Sequence, residues 1–174
     1  VFNGMFYTVA FLCCFRIIPV IHCSHQISCD SADTFKWNVG KLVTEVRVLS
    51  VDLNIKTFKF DWDFETLGKP NPGEFVMIWN FENEKPMSIS QINDNELAIT
   101  VKNIGKFTSQ LHELKVGDQI GVRGSYGHGF DNSFEGKKVI AIGGGVGMAP
   151  MNAIATDLAA NNDVSVISAA QTKD

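Results

Sequence analysis

Cysteine is missing from most of this 174-residue chain. The four cysteines all fall within the first 29 residues, at Cys13, Cys14, Cys23 and Cys29. The rest of the chain therefore needs no disulfide bond, which is typical of a reducing compartment, and we expect a cytoplasmic protein. The cysteines also lack the C-x-x-C spacing of common metal sites. His22 and His25 leave a metal site open as an alternative, but we assign no metal ligand.

Basic clusters and long apolar runs are also scarce. Lysine and arginine number 15 against 19 acidic residues, for a net charge of −4, and they form no stripe, so we expect no nucleic-acid partner. The most apolar segment, Met5 to His22, is interrupted by Arg16 and is short for a membrane span. It also lacks the basic start and the cleavage site of a signal peptide. We assign residues 1–36 to an apolar N-terminal extension and expect no membrane association, with a membrane anchor as the alternative.

The sequence from Trp37 onward alternates apolar and polar residues, as half-buried strands do. Strands are predicted over Lys41–Ser50, Ile55–Phe64, Glu74–Phe81 and Glu96–Ile104, with "MSISQI" between the last two. The segment "GDQIGVRGSYGHGF" adds a strand and a glycine-rich loop. Six or so short strands at this spacing predict a small antiparallel β-barrel over residues 37–134.

One helix is predicted within this barrel. In "FTSQLHELKVGD", Leu111 and Leu114 share a face, and Thr108 or Ser109 can serve as the N-cap.

The pattern changes near Asn132–Gly136, where we place a domain boundary. "KKVIAIG" is a continuous apolar strand of the kind that is buried in parallel sheets. A helix, "MAPMNAIATDLAANN", and a second strand, "DVSVISAA", follow. We therefore predict the first β-α-β unit of a parallel-sheet, nucleotide-binding domain over residues 137–174, and a β plus α/β fold for the whole chain.

The turn between this strand and helix is "GGGVGMAP", from Gly143 to Pro150. Glycines allow close backbone approach to a pyrophosphate, and the N–H groups at a helix N-terminus face its charge. The usual G-x-G-x-x-G spacing is absent, and a tight turn without a ligand is the alternative. Proline in the first helical turn is tolerated, because its missing N–H has no partner there.

Taken in order, "KPMS", "GKFTSQL", "GSYGHGF" and "GGGVGMAP" resemble the motifs of the ferredoxin reductase-like flavoproteins. Within them the chain is most similar to the electron-transfer subunit of dihydroorotate dehydrogenase, from Val39 to Asp174. The resemblance implies a flavoprotein oxidoreductase subunit that passes reducing equivalents between NAD(H) and a catalytic partner subunit through FAD. The reaction served would be oxidation of dihydroorotate to orotate in pyrimidine biosynthesis. The flavin subunit of a hydrogenase or of a ferredoxin:NADP oxidoreductase is the alternative within enzymes, and a barrel that binds a partner protein without cofactor is the alternative outside them.

The resemblance also implies a set of cofactor-binding residues and no catalytic side chain, since the cofactors carry the chemistry. The flavin would be held by the strand Lys85, Pro86, Met87 and Ser88, by Lys102 and Asn103, and by Gly105 and Thr108. The nicotinamide dinucleotide would be held by Gly143, Gly144, Gly145, Gly147, Ala149 and Pro150. Two departures from the family pattern are Lys85 in place of arginine and Phe107 in place of glycine, and His128 is left without a role.

The implied cofactors are FAD and NAD(P)H. Neither Ala170 nor Gln171 is basic, which favours NADH, although Lys173 lies close by. The family also carries a 2Fe–2S cluster on cysteines near its C-terminus, and those ligands are absent from this sequence. We therefore expect the chain to be a C-terminally truncated fragment of a subunit that forms a heterotetramer with its catalytic partner.

Overall fold

The computed structural model describes residues 7–10, 41–50 and 54–170. The strands are β1 (Tyr7–Ala10), β2 (Lys41–Glu45), β3 (Arg47–Ser50), β4 (Ile55–Asp61), β5 (Phe75–Trp79), β6 (Glu84–Asn93), β7 (Glu96–Lys102), β8 (Gln119–Tyr126), β9 (Lys138–Gly144) and β10 (Asp163–Ala169). The helices are α1 (Phe64–Leu67), α2 (Lys106–Glu113) and α3 (Met148–Leu158), with a 3₁₀ turn at Gly145–Gly147.

Seven antiparallel strands form the predicted barrel, in the order β2-β8-β5-β6-β7-β4-β3. The two edge strands, β2 and β3, are consecutive in the chain and are separated only by Val46. Val46 is fully buried, and its N–H donates to the carbonyl of Asp118 at 2.9 Å. The predicted single strand Lys41–Ser50 therefore bends here, so that its first half pairs with β8 and its second half with β4, and the barrel is nearly closed.

The barrel core consists of inward-facing residues from alternate strand positions. Phe58 on β4, Ile89 on β6 and Ile99 on β7 pack together with less than 2% of each side chain exposed. Trp62 is also fully buried, and its indole N–H donates to the carbonyl of Gly68 at 2.9 Å. Burial of these apolar groups drives barrel formation.

The segment after β4 differs from its prediction. The strand expected over Ile55–Phe64 ends at Asp61, and the short helix α1 follows. Asp63 caps α1, because its carboxylate accepts from the N–H of Glu65 at 3.0 Å. The hydrogen bond from the Thr66 hydroxyl lowers the pKa of Asp63 most, and the bond from the Glu65 N–H lowers it further. An N-capping aspartate thus outweighs the alternating pattern at this point.

The β-α-β unit is confirmed. β10 pairs with β9 in parallel, with Val164 opposite Val139, and α3 covers one face of the pair through Met151 and Ile154. One strand was not expected: β1 pairs in parallel with the other edge of β9. β1 lies in the segment that we assigned to the N-terminal extension, and the rest of residues 1–36 lies outside the described residues.

The β-α-β unit packs against the barrel through α3. Its contact strand is β6, where the side-chain amide of Asn152 donates to the carbonyl of Ser90 at 3.0 Å. The glycine turn at Gly145–Gly147 also approaches β7. The glycine turn and the start of α3 therefore lie over β7 and β6, the two barrel strands that carry part of the predicted flavin motif.

Candidate functional site

A cleft of about 640 Å³ separates the barrel from the glycine turn. It is bounded by β6, β7, the start of α2 and the start of α3, and this size is within the usual range for a ligand site. Ten of the fourteen residues predicted from the sequence line it. They are Lys85, Pro86, Met87, Ser88, Lys102, Gly105, Thr108, Gly147, Ala149 and Pro150.

The other four predicted residues lie outside this lining. Gly143, Gly144 and Gly145 precede the part of the turn that reaches the cleft. The side-chain oxygen of Asn103 accepts from the Ser109 hydroxyl at 2.7 Å. Asn103 thereby fixes the loop before α2.

Six further residues that were not among the predicted site residues complete the cleft wall: Thr100, Val101, Ile104, Lys106, Phe107 and Val146. Phe107 was noted in the sequence only as a departure from the family pattern. Most of the six are direct neighbours of predicted residues along the chain. Their position next to predicted residues was the signal in the sequence that could have identified them. A short loop or a helix start brings consecutive side chains to one wall of a cleft.

The start of α2 forms one end of the cleft, and its cap differs from the prediction. Neither Thr108 nor Ser109 is the N-cap, since Gly105 holds that position with an extended backbone. Thr108 stands at the third helical position, where its hydroxyl oxygen accepts from the N–H groups of Ile104 and Gly105, both at 3.0 Å. The same hydroxyl donates to the Gly105 carbonyl at 2.9 Å. Thr108 therefore shapes the turn that presents Gly105 to the cleft.

Phe107, which replaces a glycine of the family motif, is accommodated within α2. It has a helical backbone and packs, partly buried, against the barrel core. Phe107 needs no left-handed backbone conformation at this position. The departure from the family pattern therefore changes the side chain and leaves the start of the helix ordinary.

Positive charge is concentrated around the cleft. Lys85, Lys102 and Lys106 line it with exposed side chains, and the lining residues include no carboxylate. α2 begins at the cleft, and the first N–H groups of a helix carry partial positive charge without carbonyl partners in the helix. This end of the cleft is therefore suited to an anion such as a phosphate.

An ion pair holds the strand that carries Lys85. The guanidinium of Arg123 on β8 binds both carboxylate oxygens of Glu84, at 2.7 and 3.1 Å. The Glu84 hydrogen bond raises the pKa of Arg123. The pair anchors the start of β6 to β8, next to the exposed lysine.

Apolar side chains cover the other walls of the cleft. Pro86, Met87, Val101, Ile104 and Val146 contribute to this surface. Ile104 is 68% exposed and Val146 is 36% exposed. The combination of a cationic end and apolar walls fits a ligand that has both a phosphate and a flat ring system.

The glycines around the cleft are explained in two different ways. A Cβ added to Gly143 would lie 2.4 Å from the Met148 sulfur, and Gly145 has a φ of +54°, so the fold itself favours glycine at both positions. Gly105 and Gly147 differ, because their φ angles are ordinary and an added Cβ would meet nothing within 4 Å. Both line the cleft, which is where a ligand would need the bare backbone.

The glycine-rich loop "GSYGHGF" lies elsewhere. A Cβ on Gly129 would lie 2.5 Å from the Asn71 Cβ, and the N–H of Phe130 donates to the Pro72 carbonyl at 2.8 Å. The loop therefore packs against the "KPNPG" turn. His128 is exposed and outside the cleft, and within the described residues no group of three or more His, Cys, Asp or Glu could hold a metal. The four cysteines lie outside the described residues.

Comparisons with known proteins bear on the family and the fold of the chain. Residues 41–130 match the family model described as the oxidoreductase FAD-binding domain. The chain is 40% identical over 140 residues to the probable dihydroorotate dehydrogenase B (NAD(+)) electron transfer subunit of Methanothermobacter thermautotrophicus, covering 79% of this chain and 51% of the relative. The same-named protein of Thermococcus kodakarensis is 40% identical over 116 residues, covering 66% and 46%. The chain thus spans about half the length of these relatives.

Solved structures share the fold. The NADH-dependent reduced ferredoxin-NADP oxidoreductase superposes with a TM-score of 0.67 at 27% identity, over 76% of this chain and 49% of that one. The ferredoxin reductase of carbazole 1,9a-dioxygenase gives a TM-score of 0.65 at 24% identity, over 76% and 43%, which supports the fold alone. Within the described residues, no helix is both long and apolar enough to span a membrane. Since the family model covers more than half of its residues, the chain belongs to the oxidoreductase FAD-binding domain family.

Proposed function

We propose that the cleft binds FAD. The lysines Lys85, Lys102 and Lys106 and the first turn of α2 would bind the phosphates. Met87 and Ser88 would lie along the ring system, with Val146 on the opposite wall. The observation that carries this proposal is the pair Gly105 and Gly147, because nothing in the chain requires glycine at either position and both line a cationic, apolar-walled cleft.

We further propose that residues 37–134 act as the FAD-binding domain and that residues 137–174 are part of an NAD(P)-binding domain. The turn from Gly143 to Gly147, with Ala149 and Pro150 at the start of α3, would approach the dinucleotide. FAD, when bound, supplies the hydride and electron-transfer chemistry. The residues of the chain hold and orient it and keep water from the apolar wall of the cleft.

The family relatives support a specific role. We propose that the chain is part of the electron-transfer subunit of a dihydroorotate dehydrogenase, which exchanges electrons between NAD(H) and a catalytic partner in a cytoplasmic heterotetramer. A 2Fe–2S cluster would be carried outside the present sequence. The second candidate is a flavin subunit like that of the NADH-dependent reduced ferredoxin-NADP oxidoreductase. Its support is the 27% identity of the chain to that structure.

The FAD proposal is tested by titrating the 174-residue chain with FAD and following flavin fluorescence. Lys85→Gln and Lys102→Gln should each weaken binding by about ten- to 150-fold, since a charge-assisted phosphate hydrogen bond is worth about 1.5–3 kcal/mol. Lys115→Gln is the matched control, because Lys115 is also exposed but lies outside the cleft, and it should leave the affinity unchanged. Equal weakening in all three variants would show general charge attraction and no specific site.

The partner proposal has a separate test. A catalytic dihydroorotate dehydrogenase subunit from the same genome is co-expressed with the full-length gene product, and the purified mixture is assayed for dihydroorotate-dependent reduction of NAD⁺. Activity that requires both proteins supports the dehydrogenase role. Reduction of ferredoxin by NADH without that subunit would favour the second candidate.

A further inference from the structure

An irregularity in the barrel lies directly beneath α3. β6 and β7 pair Ile89 with Ile99 and then Gln91 with Ala98, so Ser90 is an extra residue without a partner in this register. It forms a β-bulge, and bulges redirect backbone and side-chain groups away from the ladder. Ser90 is only 2% exposed.

The carbonyl of this bulged residue is bound by the β-α-β unit. The Asn152 side-chain amide donates to it at 3.0 Å. Asn152 lies in the first half of α3, two residues after Pro150, which lines the cleft. The hydrogen bond therefore joins the start of the nucleotide helix to the strand that begins with the "KPMS" motif.

The side chain of Ser90 extends the connection to the cleft wall. Its hydroxyl oxygen accepts from the Thr100 hydroxyl at 3.0 Å, and Thr100 shares a further hydrogen bond of 3.0 Å with Thr57. Thr100 lines the cleft, whereas Thr57 is 6% exposed. One residue, Ser90, thus contacts both α3 and the cleft wall.

We infer that Asn152 is a positioning residue, which sets the place of the glycine turn over the flavin strand β6 through the Ser90 carbonyl. This inference rests on the proposed binding of FAD and of a nicotinamide dinucleotide. Asn152 itself does not line the cleft, so it acts by fixing the position of α3 against β6. Loss of its amide should let Val146 and Gly147 move relative to Met87 and Ser88, without removing any group that would contact FAD.

The test uses Asn152→Leu and Asn152→Asp, both of which lose the amide donor at neutral pH. Thr156→Leu is the matched control, since Thr156 is also exposed and lies one turn later on α3. Hydrogen exchange of the 174-residue chain without cofactor is measured first. Amides of residues 146–149 and 151 should exchange about fivefold faster in both Asn152 variants, as expected for one lost hydrogen bond. They should be unchanged in the control. Unchanged exchange in the Asn152 variants would overturn the inference.

The second measurement separates positioning from simple packing. In the full-length protein loaded with FAD, reduction by saturating NADH should slow about tenfold or more in the Asn152 variants, because small misplacements of reacting groups cost large rate factors. Reduction by dithionite should stay as in the wild type, and FAD affinity should fall by a smaller factor than the rate of NADH reduction, because no group that contacts FAD is removed. Faster exchange with unchanged NADH reduction would overturn the positioning role. A wild type that takes up no FAD would overturn the proposed function, and the exchange result would still decide whether Asn152 holds α3.

Discussion

The barrel and the β-α-β unit differ in how they are held together. Within the described residues, the barrel buries a cluster of thirteen apolar residues, and five of its seven strands pair with a neighbour on both sides. The β-α-β unit buries five, and its strand β10 leaves Val166 and Ile167 each 51% exposed. A parallel strand is normally covered on both faces. The β-α-β unit therefore depends more on α3 and on its contact with β6 than the barrel depends on any one element.

This difference predicts that core changes in the two units unfold different parts of the chain. Phe58 is 1% exposed at the centre of the barrel core. Phe58→Ala should lower the free energy of unfolding of the barrel by about 3–5 kcal/mol, from lost burial and the cavity left behind. Urea unfolding followed by tryptophan fluorescence measures this, because Trp62 is in the same core. Val116→Ala, at a residue 70% exposed, is the control and should change little.

A core change in the β-α-β unit should have a more local effect. Ile154 on α3 packs against β9 and is 1% exposed. Ile154→Ala should cost about 2–4 kcal/mol in local stability, read as faster hydrogen exchange over α3 and β9. The urea midpoint of the barrel should move much less than for Phe58→Ala. Equal shifts of both regions would show that the chain unfolds as one cooperative unit, contrary to the comparison.

The glycine turn offers a matched pair of substitutions within the smaller unit. Gly143→Ala places a Cβ against Met148 and should destabilise the unit by about 1–3 kcal/mol. Gly147→Ala meets nothing within 4 Å and should leave stability nearly unchanged while weakening FAD binding. Thermal unfolding and FAD titration of both variants give the two readouts. If Gly147→Ala binds FAD as tightly as the wild type, that glycine has no role in the cleft.

A smaller effect is expected on the barrel surface. Glu96 on β7 binds Lys59 at 3.0 Å and Arg47 at 2.8 Å, and these hydrogen bonds, that of Lys59 first, lower its pKa. Because the pKa is lower in the folded state, the contribution to stability is present above the ordinary glutamate pKa and is lost as the pH falls through the lowered value. Glu96→Gln should cost about 0.5–1 kcal/mol at pH 7. The difference from the wild type should vanish in acid, and urea unfolding at several pH values measures it.

The sequence predicted the two units because their patterns are local. Alternation identified the barrel strands, and the apolar strand before "GGGVG" identified β9. Three features depended on contacts that no local pattern carries. The bend at Val46 depends on the loop at Gly117 and Asp118, the pairing of β1 with β9 depends on residues that are far apart in the chain, and the bulge at Ser90 depends on the register with β7.

The site, like the fold, was predicted only in part. Ten of the fourteen predicted residues line one cleft, because the motifs mark the strand starts and helix starts that border it. The cap of α2 was wrong, since a hydroxyl at Thr108 can serve the helix start from the third position as well as from the N-cap. Lys106 and Val146 stand inside the quoted motifs "GKFTSQL" and "GGGVGMAP", but they were missed because the resemblance assigned a role only to the glycines, the threonine, the alanine and the proline of these motifs. Their contribution follows only from the way in which the two units meet.

The central claim is that FAD lies between the barrel and the glycine turn. Hydrogen exchange of the 174-residue chain, measured with and without one equivalent of FAD, tests it most directly. The account predicts protection in three separate segments, Lys85–Ser88, Ile104–Thr108 and Val146–Pro150, with little change in the "GSYGHGF" loop. Protection confined to one unit, or no flavin uptake by a chain shown to be folded, would contradict it.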